Sequence, residues 1–186
     1  MKLAQATQRA TEIAETLHGR CIKGDLRSRL CAACFAVSQQ HHNSVLILLD
    51  HTPPLQATAF ALLRPLMEST MKGLWLSHVA SDEQVQTYIQ SGTKLDMASM
   101  INAVGKAVGL NAHSAIYSHW HSLSAYTHTG EHQVQRWLLT EDIEPCYSAS
   151  ELSELVKLSC GIAELSLQGV LAISSMRQTE NPDVSI

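Results

Sequence analysis

Between His51 and Asp82 the only Asp, Glu, Lys or Arg side chains are Arg64, Glu68 and Lys72, and they stand four residues apart. On a helix that spacing puts all three on one face, within reach of each other. The stripe continues as Phe60 on one side and Leu76 on the other, with Leu62, Leu63, Leu66, Met67, Met71, Leu74 and Trp75 around it. Charges in such surroundings must be paired or bound to something polar, because an isolated buried charge is costly. Three readings fit: an internal salt-bridge network that sets helix register, one wall of a ligand pocket, or an exposed row of ion pairs. The apolar neighbours favour the first two over the third. Pro65 follows Arg64 directly, and inside a helix its ring displaces the hydrogen bond to the carbonyl of Ala61 and bends the axis beside the charged row.

The second chemical feature is a stretch from Asn111 to Gln133 that holds His113, His119, His121, His128 and His132, five of the ten histidines. Read as a helix, it aligns Tyr117, His121, Ser124 and His128 on one face, whereas His119 and His121 diverge. A three-ligand metal site could be assembled from His128, His132 and either His121 or Glu131, but the Glu-x-x-His pairs of di-iron bundles are absent. Hydrogen bonding or acid–base work suits these imidazoles better, and neither metal nor cofactor is expected. The five cysteines include Cys31-Ala-Ala-Cys34, which lacks both the further ligands of a zinc site and the βαβ context of a redox site. Cys31 and Cys34 are expected to be a structural pair of core cysteines, and the five thiols to be reduced in a cytoplasmic protein.

Helices must position these groups. No strand-like alternation is found, whereas helical spacing with start and stop signals recurs throughout. Helices are expected at about Lys2 to His18, from an Asp25 cap through Leu49, at Leu55 to Val79, and from Ser81 to Gly92. Further ones follow at Leu95 to Val108, from Asn111 to Thr127 with Gly130 as a left-handed stop, and from Ser148–Ser150 to Met176. A shorter, partly helical stretch is expected around Val134 to Leu139. The expected fold is all-α, an antiparallel bundle of long helices with additional short ones. One domain, 1–178, and a flexible tail, 179–186, suit a chain of 186 residues.

The chain carries 16% charged residues and a net charge of −4. The low charge content would suit a buried homo-oligomer interface, and the balance gives no basic stripe for general nucleic-acid binding. The N-terminus has no apolar leader, and no unbroken apolar run is long enough to span a bilayer. A phosphate-binding Gly-rich loop and a nucleophile elbow are also missing.

The run Ala61-Leu62-Leu63-Arg64-Pro65-Leu66-Met67-Glu68, then Gly73-Leu74-Trp75-Leu76, then Leu123 to Gly130 with Gln133 and Arg136, resembles a family of uncharacterised bacterial helical proteins. An Arg-x-x-x-Glu helix and a Ser/Thr-His-Gly element mark that family, and the likeness covers about Val45 to Arg136. The family in turn resembles the HEPN superfamily of helical bundles, which is common in bacterial defence and toxin–antitoxin settings and includes metal-independent ribonucleases. The superfamily's nuclease signature is an Arg followed by a His after four to six intervening residues, and no Arg in this chain is followed by a His at that spacing. The nearest substitute is Arg64 and His128 meeting in space.

The resemblance implies a pocket for RNA, a nucleotide or a small anion. His128 would move the proton of a ribose hydroxyl, Arg64, Lys72 or Arg136 would hold the phosphate, and Glu68 would orient Arg64. Trp75 would stack a base, and His121, Ser124 and Gln133 would complete the wall. A non-catalytic pocket, or an antitoxin or immunity protein acting on a partner protein, stands beside this reading.

Overall fold

The computed structural model describes residues 1–22, 24–91, 95–109, 123, 126, 127, 130–138, 141 and 143–176. Its helices are α1 (Leu3–Leu17), α2 (Leu26–Asp50), α3 (Gln56–His78), α4 (Asp82–Ser91), α5 (Met97–Val108), α6 (Glu131–Gln135) and α7 (Ala149–Ile173). Local chemistry accounts for most of their ends. The Asp25 side chain accepts from the Ser28 amide at 2.9 Å and so starts α2. Ser81 and Gln84 exchange reciprocal bonds ahead of α4, and Ser148 and Glu151 do the same ahead of α7. Gly109, at φ 69°, closes α5 in the left-handed conformation that a side chain would oppose.

The end of α3 is held from a distance. Arg27 on α2 donates to the carbonyls of Leu76 and Ala80 at 2.5 and 2.7 Å, and to Asp82 at 2.7 Å. One guanidinium thus satisfies carbonyls that a helix C-terminus leaves open and also fixes the turn into α4.

α3 is the central element. Its residues Leu63, Leu66, Met67, Met71, Trp75 and Leu76 are all buried, and the helix packs on α2, α5 and α7. α2 packs on α3 and α7, and α1 lies across α2 and α7. Where α2, α3 and α7 meet, Phe35 is completely buried against Gly73 and Gly169. A Cβ on Gly73 would stand 2.5 Å from the Phe35 ring, so only glycine permits this approach. On the outer side Arg9 of α1 grips Glu164 of α7 with two bonds, at 2.5 and 2.9 Å.

Two expectations need correction. The chain does contain strands: β1 (Arg20–Ile22) and β2 (Ser174–Met176) pair antiparallel, with Cys21 opposite Ser175. The final helix therefore ends at Ile173 rather than Met176. Its last turn would contain Ser174 and Ser175, weak helix formers, and pairing with the segment after Gly19 satisfies their backbone instead. Gly130 is extended, at φ −73° and ψ 178°, and serves as the N-cap of α6 rather than as a left-handed stop. The expected helix from Asn111 to Thr127 falls largely on residues outside the described set, as does the 179–186 tail.

α7 is long and apolar enough, by length and composition, to cross a membrane. In this fold its apolar face, including Leu155, Val156, Ile162 and Val170, is buried in the core.

Candidate functional site

The charged row keeps its expected geometry. Arg64 Nε donates to Glu68 Oε1 at 2.8 Å, with side-chain exposures of 19% and 26%. The pair is thus neither sealed in the core nor fully solvated. One turn on, Lys72 is half-buried, and among the described residues it forms no ion pair.

Glu68 and Lys72 face a cavity of about 360 Å³ between α2, α3 and α4. Leu30, Ala33 and Val37 of α2 form its apolar wall, and Pro65 adds to it from α3. Polar groups reach it from all three helices: Cys34 and His41 from α2, Ser69 from α3, and Tyr88 from α4. The Ser69 hydroxyl is already engaged by the carbonyls of Pro65 and Leu66, at 2.8 and 3.0 Å.

Burial decides the protonation of this lining. It pushes the Cys34 thiol up, against opposing effects from the Tyr88 hydroxyl and the Lys72 charge. The Tyr88 phenol is pushed up to about 12, first by burial and then by the neighbouring Cys34, whose Sγ lies 4.0 Å away. Burial also lowers the pKa of His41. At neutral pH the cavity therefore presents a phenol, a thiol and a neutral imidazole, and the Lys72 ammonium is the cation among its lining residues.

Pro65 sits within α3, which runs on through it. The carbonyl of Ala61, which loses its usual amide partner to the proline, instead accepts from the Thr127 hydroxyl at 3.3 Å; the same hydroxyl lies 3.2 Å from the Leu123 carbonyl. One turn earlier, Gln133 Nε2 donates to the Ala57 carbonyl at 2.7 Å. Side chains from 127 and 133 thus dock onto the backbone of α3 just ahead of Arg64. His128, His121 and Ser124 lie outside the described residues. Among the described residues no group of three or more His, Cys, Asp or Glu is arranged to hold a metal ion.

Three expected site residues have other tasks. Trp75 is only 2% exposed and belongs to the core, so it offers no face to a base. Gln133 is buried, with its amide spent on Ala57, and acts as an anchor for α6. Arg136 does not join Glu68 and Lys72: it pairs with Glu151 of α7 and lies over the Tyr147 ring at 5.9 Å from its centroid. The reason is positional, because α6 and its following turn lead into the α7 cap, where Glu151 waits.

That second locus contains an aromatic cluster that sequence reasoning missed. Phe60 stacks on Tyr126 and on Tyr147, both with ring centroids 4.9 Å apart. Burial raises the pKa of Tyr147, whose hydroxyl is sealed without a partner among the described residues. The three rings come from segments far apart in the chain, and no local spacing announces them. Cys34, His41 and Tyr88 were also missed, although Leu30, Ala33, Cys34, Val37 and His41 do recur at helical spacing along one face of α2.

No curated protein and no solved structure matches the chain. The model of one family of unknown function, DUF6988, matches residues 35–185, which include the charged row, the aromatic cluster and the lining of the α2–α3–α4 cavity from Val37 onward, while Leu30, Ala33 and Cys34 precede the match. The chain belongs to the DUF6988 family.

Proposed function

We propose that the protein binds a small anion, a nucleotide phosphate among the candidates, in the cavity between α2, α3 and α4. The observation that carries this reading is the half-buried Lys72 ammonium on the wall of a 360 Å³ cavity, next to a carboxylate whose charge Arg64 offsets. An ammonium with apolar walls around it attracts an anion more strongly than one in open water, since the local dielectric is lower. Tyr88, which stays protonated, can donate a hydrogen bond to the same guest.

The test is calorimetric titration with inorganic phosphate and with adenosine monophosphate. Binding by the wild type is expected, with a loss of at least about tenfold in Lys72→Ala and retention in Lys72→Arg. Absence of binding, or binding indifferent to both substitutions, would sink the reading.

A second reading, metal-independent ribonuclease chemistry of the HEPN kind, draws support from the Thr127 bond to Ala61, because His128 is the next residue in the chain. In that reading His128 moves the ribose proton, Arg64 and Lys72 hold the phosphate, and the setting is bacterial defence in the cytoplasm, with the chain acting as a helical homodimer. Purified protein incubated with tRNA in the presence of a chelator tests it. Cleavage lost in His128→Ala supports it, and equal cleavage by that variant, or none by wild type, rules it out.

A further inference from the structure

The other flank of α3 carries a separate cavity of about 520 Å³, closed on its far side by α7. Four leucines, Leu63, Leu123, Leu155 and Leu158, line it with the rings of Phe60 and Tyr126. Glu151, Glu154 and Lys157 of α7 complete its lining. Neither Lys72 nor Glu68 reaches it, so it is independent of the anion site.

We propose that this cavity binds a neutral planar aromatic molecule of one or two fused rings. The walls argue for the ring: leucine side chains exclude water, and the Phe60 and Tyr126 rings, 4.9 Å apart and within 21° of parallel, offer the geometry that aromatic guests extend by stacked or edge-to-face contact. The charges argue for neutrality. Arg136 is bonded to Glu151 and cancels it, and Glu154 stands three residues from Lys157 with the opposite charge. A cationic guest would gain from Glu154 what it loses to Lys157, and an anionic guest the reverse, so ionic groups add nothing to the apolar gain. The cavity is partly open, which allows entry without unfolding α7. Ligand sites of this size with mostly apolar walls and few polar groups are the usual form of small-molecule pockets.

The probe is indole, with tryptamine and indole-3-acetate as its positively and negatively charged counterparts, each titrated into the full-length chain by isotope-edited NMR and calorimetry. Saturable indole binding is expected, with intermolecular NOEs to Tyr126 and to the Leu155 methyls, and neither charged analogue should bind tighter. Leu158→Phe, which fills the cavity from a partly exposed wall position, should weaken indole by at least about tenfold while leaving the melting temperature in place. Lys72→Ala should leave indole binding unchanged, which separates this site from the anion site. Tighter binding of tryptamine or indole-3-acetate would overturn the claim of neutrality. No saturable binding, NOEs to other residues, or an undiminished affinity in Leu158→Phe would overturn the site itself.

Discussion

The two sides of the α2–α3 contact are built on opposite plans. On the inner side, Phe35 fills the space against Gly73 and Gly169, and Ser38 and Thr70 bond across at 2.7 Å with both fully buried. On the outer side, the same two helices leave a 360 Å³ cavity walled by Leu30, Val37 and Lys72. Polar groups are treated accordingly. The inner seam tolerates only neutral ones, whereas the full charges of Arg64, Glu68 and Lys72 stay where solvent or a guest reaches them. The difference teaches that the open cavity depends on the closed seam: interlocked glycines and a ring hold the helix axes, so the outer groove does not collapse to fill itself.

The largest expected effect comes from breaking the seam. Gly169→Ala, or Gly73→Ala, drives a methyl into the Phe35 ring, and a loss of about 2–4 kcal/mol is expected in urea unfolding. Gly161, whose added Cβ would meet nothing within 4 Å, is the control, and Gly161→Ala should not destabilise.

His42 comes next. It is fully buried on α2 with neither ring nitrogen bonded among the described residues, and burial lowers its pKa to about 4, with Glu164 opposing. The unfolded chain binds a proton there below about pH 6.5, which the native state refuses until about pH 4. Stability should therefore fall as pH drops through that window, by on the order of 3 kcal/mol from this group once pH is below 4. Arg9 and Glu164 stand nearby, with Glu164 held ionised by its bond to Arg9. His42→Met should flatten the profile between pH 7 and 4 in urea titrations. An unchanged slope would show that other groups cause the acid sensitivity.

Thr70→Val is expected to cost about 1–2 kcal/mol, since it leaves the buried Ser38 hydroxyl without its partner. The smallest effect belongs to the outer flank. Lys72→Ala should shift unfolding by less than about 0.5 kcal/mol. A larger loss would mean that Lys72 belongs to the scaffold, and the contrast between the two sides would fail.

Most helix boundaries were legible because their causes are local, whereas the end of α7 at Ile173 and the role of Gly130 were not. Asp25, Ser81, Ser148 and Gly109 act on backbone within a few residues of themselves, and each does in the structure what its position implies. The Arg64–Glu68 bond was legible for the same reason, since four residues of helix bring the two groups together whatever surrounds them. The freed Ala61 carbonyl also followed from Pro65 alone, although its acceptance of the Thr127 hydroxyl did not.

Arg136 shows where such reasoning stops. Its charge suited the row on α3, but a guanidinium pairs with the carboxylate that the fold brings nearest, and that was Glu151. The β1–β2 pairing, the Arg27 clamp on the end of α3 and the Tyr126–Phe60–Tyr147 cluster are likewise contacts between segments far apart in the chain. The amino-acid order by itself determined the long helices, the caps at Asp25, Ser81, Ser148 and Gly109, and a row of charges facing one way. Only the tertiary structure decided which helices face that row, that α2 and α4 leave a cavity before it, and that a second cavity opens on the far flank of α3. The physical reason is range: helical hydrogen bonds and capping act over a few residues, whereas cavities are left by the packing of whole helices against each other.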